Sequence, residues 1–377
     1  MPDTADITLA ERLQGFGGRA LGLLPAPVQL KLSGRPPVEV DGQRLDPCLQ
    51  LLLAVNRRRK RYGLCEPDPV TARARFRREV LIYGGPKTRV GPVRDFEIEG
   101  EAGPVRVRHY APPTSAPSAP SAKASRDLLV YLHGGGFVLG DLETHDEPCR
   151  LLCLHARTHV LAVAYRLAPE HPFPAGLGDV LAALRWAQAN AERLGADPAL
   201  VSVGGDSAGG NLAAVAAQVS ARERPPFAQL LVYPATDAVK EERPSKTLFG
   251  RGFFLARTDC DAFFDHYTDG TGARRDDARV SPLRADDLSG LAPALVVTAG
   301  FDYLRDEGDA YALALGEAGG VVVKRRYTSL AHGFIHMTGV CPAARAALVE
   351  YAREWRALLE RVARAPARAV LHEEVAP

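Results

Sequence analysis

The residues best suited to do chemistry gather around one serine. Ser207 lies in Gly205-Asp206-Ser207-Ala208-Gly209, a G-x-S-x-G pattern, between the apolar run Leu200-Val201-Ser202-Val203 and an Ala-rich, Pro-free stretch from Ala208 to Ala217. The run suits a buried strand and the stretch a helix, so the serine is expected at the tip of a strand-to-helix turn. Such a turn strains the serine backbone and tolerates only small residues two positions away on either side. The helix that follows favours negative charge near the serine. A dinucleotide loop is excluded by spacing, because Gly204, Gly205, Gly209 and Gly210 cannot be assembled into G-x-G-x-x-G.

A serine nucleophile requires a base, a group that orients the base, and donors for the charge developing on a carbonyl oxygen. His133-Gly134-Gly135-Gly136 follows the apolar run Leu128 to Leu132. Glycines can turn backbone N–H groups toward a ligand, so Gly135, Gly136 and Ala208 are the expected oxyanion donors. His133 suits a hydrogen-bonding role that fixes this loop. For the orienting acid, GFDYLRDEG offers Asp302 and Asp306. Asp302 is nearer the strand end, whereas Asp306 suits capping the next helix. For the base, His332 stands beside Gly333 after the last strand, and His336 is expected to share a helix face with it. The loop histidine is better presented. The resulting order, Ser207, Asp302, His332, is that of an α/β-hydrolase.

Positioning these groups requires strand ends. Short strands are expected at Val93 to Ile98, Val105 to Tyr110, Leu128 to Leu132, His159 to Tyr165, Leu200 to Val203, Gln229 to Tyr233, Ala294 to Ala299 and Val321 to Tyr327. Helices are expected at Thr144 to Arg157, Leu177 to Leu194 and Ala343 to about Arg364. Near-continuous apolar strands alternating with helices imply a largely parallel eight-stranded α/β sheet covered on both faces, with an antiparallel pair at its edge. The stretch between Tyr233 and Ala294 is too long for a simple crossover. Its aromatic residues, Phe249, Phe253, Phe254 and Phe263 among them, are expected to line an apolar substrate pocket within a covering insertion at about 240–275. Residues 1–85 read as a helical covering segment with no strand alternation, and 86–377 as the main domain.

Composition narrows the class. The 377 residues carry 47 Lys+Arg against 45 Asp+Glu, a formal net charge of +2, which gives no global electrostatic case for a nucleic-acid partner. The basic run Arg57 to Arg61 lacks interleaved aromatics and a second basic cluster, and reads as a solvated helix face or a clamp for acidic surface. The Pro/Ser/Ala-rich loop 111–125 is expected to be mobile. The first twenty residues do not read as a secretory signal, and no run is long enough to span a membrane, so a cytoplasmic location is expected. Six scattered cysteines do not form a disulfide scaffold; Cys149 and Cys153 read as buried small hydrophobes, with no metal site.

HGGGF, GDSAGG, YRLAPEHPFPA, DYLRDEG and HGF together resemble the hormone-sensitive-lipase-like branch of the α/β-hydrolases, the bacterial family IV esterases, over about residues 90–360. The resemblance implies His133 to Gly136 as the oxyanion motif, Ser207 as nucleophile, Asp302 as acid and His332 as base. It implies that Tyr165 to Ala175 buttresses the site, with Glu170 structural. It also implies a helical cap from the amino-terminal segment and the insertion, short to medium acyl esters as substrates, no cofactor, and dimerisation through the last strand and helix. An amidase or lactonase would use the same triad. A silent ligand-binding protein of this fold would require neither triad nor oxyanion loop.

Overall fold

The computed structural model describes residues 8–58, 64, 68–113 and 126–364. Cys65, residues 59–61 of the basic run and residues 114–125 of the Pro/Ser-rich loop lie outside them.

The amino-terminal segment opens with α1 (Leu9–Gly22) and α2 (Ala26–Ser33), then a hairpin of two short strands, β1 (Glu39–Val40) and β2 (Gln43–Arg44). Strands were not expected here. The hairpin is set by its two-residue Asp41-Gly42 turn, with φ of 57° and 69°, the left-handed pair that an Asp-Gly dipeptide favours. Helices α3 (Pro47–Arg58) and α4 (Pro69–Tyr83) follow. The Asp68 side chain caps α4 by accepting from the Val70 and Thr71 N–H groups.

The main sheet has eight strands: β3 (Val93–Gly100), β4 (Gly103–Tyr110), β5 (Leu128–Leu132), β6 (His159–Ala164), β7 (Val201–Asp206), β8 (Gln229–Val232), β9 (Ala294–Phe301) and β10 (Val322–Ala331). Their order is β10-β9-β8-β7-β5-β6-β4-β3. Strands β5 to β10 run parallel, and β4 pairs antiparallel with both β3 and β6. All eight coincide with the expected segments, most of them longer by a few residues.

Helices α5 (Asp146–His155), α6 (Ala175–Asn190), α7 (Ala208–Ser220), α10 (Arg305–Glu317) and α11 (Pro342–Arg364) cover the sheet. The alternation of strand side chains divides the core in two. On β5, Leu128, Val130 and Leu132 face a core shared with Leu177 of α6, Leu212 of α7 and Tyr311 of α10. Leu129 and Tyr131 face the other, shared with Leu152 of α5 and Leu348 and Trp355 of α11. Leu49 and Leu53 of α3 belong to this second core, so the amino-terminal segment is built into the main body.

Between β8 and β9 the chain makes two further helices, α8 (Pro244–Phe249) and α9 (Arg257–Thr268). The loop between them and α9 line a cavity at the carboxyl ends of the parallel strands together with residues of α3 and α4. Cys149 and Cys153 are fully buried free thiols on α5; burial raises both, Cys153 to about 12. No helix among the described residues is long and apolar enough to cross a membrane.

Candidate active site

Each group singled out by its chemistry sits where a parallel strand ends. Asp206 ends β7, and Ser207 occupies the turn into α7 with φ of 55° and ψ of −119°, a conformation that L-residues rarely adopt. Its small neighbours are required by contact: a Cβ on Gly205 or Gly209 would collide with the Leu132 carbonyl oxygen at the end of β5. The Ser207 N–H donates to the Val232 carbonyl at 2.9 Å, and its carbonyl accepts from Asn211 N–H at 3.0 Å, so both sides of the turn are anchored.

Strand β9 ends one residue before Asp302, and β10 one residue before His332. His332 Nε2 lies 3.0 Å from Ser207 Oγ, and its Nδ1 lies 2.8 Å from Asp302 Oδ2. The second Asp302 oxygen accepts from Leu304 N–H at 2.8 Å, which fixes the carboxylate. Asp302 and His332 are 1% and 7% exposed, so the hydrogen-bonded chain is screened from water up to the serine. The alternative acid, Asp306, accepts from Ser245 N–H at 2.7 Å and from Arg305 Nε at 2.7 Å; it holds α8 rather than an imidazole. His336 does not share a helix face with His332. Because β10 continues to Ala331, His332 falls at a strand end, and His336 falls in a separate 3₁₀ turn at Phe334–Met337.

Beyond β5, Gly135 and Gly136 have φ of 119° and 62°, which side chains disfavour. A Cβ on Gly136 would strike the Phe263 ring, and one on Gly134 the Asp206 carboxylate. His133 Nδ1 donates to the Gly134 carbonyl at 2.9 Å, and Tyr165 OH donates to the His133 carbonyl at 2.7 Å. Burial and nearby His145 push His133 down to about 4, leaving it neutral. Ala208, the first residue of α7, carries one of the N–H groups that a helix start leaves without an internal partner.

Glu170 binds Arg73 of α4 through two contacts of 2.8 and 2.6 Å, and the same arginine donates to the Val138 and Ala168 carbonyls. The Arg73 hydrogen bonds lower the Glu170 carboxyl to about 2. This joins α4, the segment after β6 and the turn that follows the glycine loop.

A cavity of about 650 Å³ opens above Ser207. Phe253, Phe254 and Phe263 line it, together with Gly135, Gly136, Ala208 and His332. Phe249 does not: it is fully buried and packs on Phe253, Phe301 and the Arg305 guanidinium. Aromatic density in the sequence marked the insertion but could not separate wall from core. Leu53 of α3 and Phe76, Val80 and Tyr83 of α4 also line the cavity, and sequence reasoning missed them. The 76–80–83 spacing presents one helix face, although nothing in it says what that face covers. Arg57 lines the cavity and Arg58 donates to the Leu32 carbonyl at 3.1 Å, so these two members of the basic run face the protein itself.

Comparison with known proteins agrees with this geometry. Residues 129–336 match an α/β-hydrolase fold family. The carboxylic ester hydrolase LipN of Mycobacterium tuberculosis is 43% identical, over 96% of this chain and 99% of that protein. The ethyl acetate hydrolase of Pseudomonas putida is 37% identical, over 74% of this chain and 86% of that protein. Among solved structures, the α/β-hydrolase LAE6 from the metagenome of Lake Arreo, Spain, is similar with a TM-score of 0.76 and 39% identity, covering 83% of this chain and 98% of that one. The chain belongs to the α/β-hydrolase family, among the esterases related to mycobacterial LipN and consistent with the hormone-sensitive-lipase-like group.

Proposed function

We propose that this serine carboxylesterase hydrolyses esters of short to medium acyl chains through an acyl-enzyme on Ser207. The observation that carries the reading is the unbroken run Ser207 Oγ–His332–Asp302, at 3.0 and 2.8 Å, on the floor of the cavity. His332 takes the Ser207 proton as Oγ attacks the ester carbonyl. Asp302 holds the ring and stabilises its positive charge. The N–H groups of Gly135, Gly136 and Ala208 receive the oxyanion, His332 returns the proton to the departing alcohol, and water then repeats the sequence to free the acid. His133, Gly134, Asp206 and Glu170 support these groups without taking part in bond exchange. No cofactor is needed for any step.

In this reading, residues 1–85 and about 240–275 cap a catalytic domain formed by the rest, and Phe253, Phe254 and Phe263 bound the acyl chain. The similarity to an ethyl acetate hydrolase supports a small acyl group. The described cysteines are free, which suits the reducing cytoplasm. Strand β10 ends the sheet order, leaving one side for the edge-to-edge dimer that the family resemblance implies; light scattering of the purified protein tests that assembly. No nucleic-acid partner is part of the reading.

A panel of p-nitrophenyl esters from acetyl to dodecanoyl, with anilide and lactone controls, tests the substrate class. We expect kcat/KM to rise to butyryl or hexanoyl and to fall by dodecanoyl. A best rate on anilides or lactones would replace esterase by amidase or lactonase, and turnover of none of them would favour a silent binding protein.

A further inference from the structure

Behind the nucleophile lies a second histidine–carboxylate pair that the acyl-transfer scheme does not use. His145 and Asp206 are buried, at 1% and 2% exposure. His145 Nε2 lies 3.2 Å from Asp206 Oδ1 and 3.4 Å from Oδ2, and its Nδ1 lies 2.9 Å from Thr144 Oγ1. The Thr144 hydroxyl donates to the Asp141 carbonyl at 2.8 Å, so toward His145 its oxygen accepts. His145 thus lies between two oxygens that can accept, an arrangement in which both ring nitrogens can donate, as in an imidazolium.

Asp206 is the centre of this cluster. Besides His145, its Oδ1 accepts from Tyr131 OH at 2.8 Å and from the Gly134 N–H at 3.0 Å. The Gly134 N–H is also 3.2 Å from His145 Nε2, so with that nitrogen protonated the carboxylate takes the bond alone. Burial would raise the Asp206 carboxyl, but the His145 charge and these hydrogen bonds hold it down to about 2. His336 packs edge-on against His145 at 4.6 Å. Burial and His145 lower His336 to about 3.

The location makes this charge pair matter. Asp206 immediately precedes the nucleophile, and Gly134 immediately precedes the two glycines read above as oxyanion donors. An uncompensated carboxylate here would oppose the negative charge that develops on the substrate oxygen. We propose that His145 is a positioning residue for ester hydrolysis: as an imidazolium it neutralises Asp206, so that the carboxylate can clamp the glycine loop to the nucleophile turn without opposing the oxyanion. The inference rests on the esterase reading. The oxyanion exists only along the reaction path, so the effect belongs in kcat and leaves substrate binding nearly untouched.

The test is a double-mutant cycle with p-nitrophenyl butyrate. His145→Gln strands the carboxylate and is expected to lower kcat by about 30–100-fold with KM within about twofold. Asp206→Asn loses the clamp but strands no charge and is expected to cost about tenfold. In the Asp206→Asn background, His145→Gln should cost less than about threefold, so that removing the carboxylate rescues the loss of the imidazolium. Losses that multiply in the double variant, or that appear in KM, would overturn the proposal. A second measurement uses the wild-type protein labelled with ¹⁵N-histidine at pH 8. Two protonated ring nitrogens are expected at His145, and a neutral tautomer there would overturn the proposal even if the variants fail to fold. Absence of ester turnover beside an observed imidazolium would instead count against the esterase reading.

Discussion

The floor and the roof of the cavity are built in different ways. On the floor, Ser207, Asp302 and His332 each sit immediately beyond a parallel strand, and around Ser207 the turn is held by backbone hydrogen bonds and by glycines that admit no Cβ. On the roof, side chains from α3, α4 and the segment around α8 and α9 close the cavity, held by separate ties. These include Arg73 to Glu170, Ser245 to Asp306, and the Leu64 N–H to Asp259 at 2.8 Å. The difference teaches that the triad is fixed by backbone placement, whereas the roof is made by side chains of other elements, to which the proposed reading gives substrate choice.

The sharpest contrast comes from the floor. Ser207→Ala should lower ester turnover by roughly 10⁴-fold or more while leaving the melting temperature within a few degrees, measured by steady-state kinetics and calorimetry. Next, Asp302→Asn should cost on the order of 10²–10⁴-fold, because the ring loses its orienting carboxylate. Asp306→Asn should cost less than about fivefold and should act instead on the seating of α8. Equal losses in two stable proteins would break the division between floor and roof.

Within the roof, two phenylalanines should behave differently although only a few residues separate them. Phe249→Ala should destabilise the fold by about 3–5 kcal/mol and leave the acyl-length profile unchanged, since its ring is core. Phe254→Ala should move the optimum toward longer chains, with each newly accommodated methylene worth about 0.8 kcal/mol in kcat/KM, and change the acetate rate little. The ester panel and a denaturant titration read both. The smallest effect is expected from Glu170→Gln, which loses only the exposed ion pair with Arg73, worth about 1 kcal/mol or less, and leaves Arg73 on the Val138 and Ala168 carbonyls; a broader acyl profile with an intact acetate rate would mark this tie as part of the roof.

The floor was legible because each of its groups is next to a strong local signal. Strand β5 lies at 128–132 as expected, since a five-residue apolar run stopped by a run of glycines is long enough for a strand and too short for a helix. Asp302 was separable from Asp306 by distance from the end of β9. The roof was less legible. An Asp-Gly hairpin of two-residue strands is too short to show alternation. The fates of Phe249 and Phe254 depend on packing against β9 and the cavity. The contact of His145 with Asp206 joins residues 61 positions apart, with no motif to announce it. Because Leu49 and Leu53 are seated in the main core, removing residues 1–85 should unfold the protein, as a denaturant titration would read.

The most direct test of the central claim is the covalent intermediate. When the enzyme is mixed with excess p-nitrophenyl butyrate and quenched in acid within milliseconds, the account expects a nitrophenol burst and one butyryl group on the peptide carrying Ser207, both absent in Ser207→Ala. Acylation at another residue, or undiminished turnover in the Ser207→Ala protein, would contradict it.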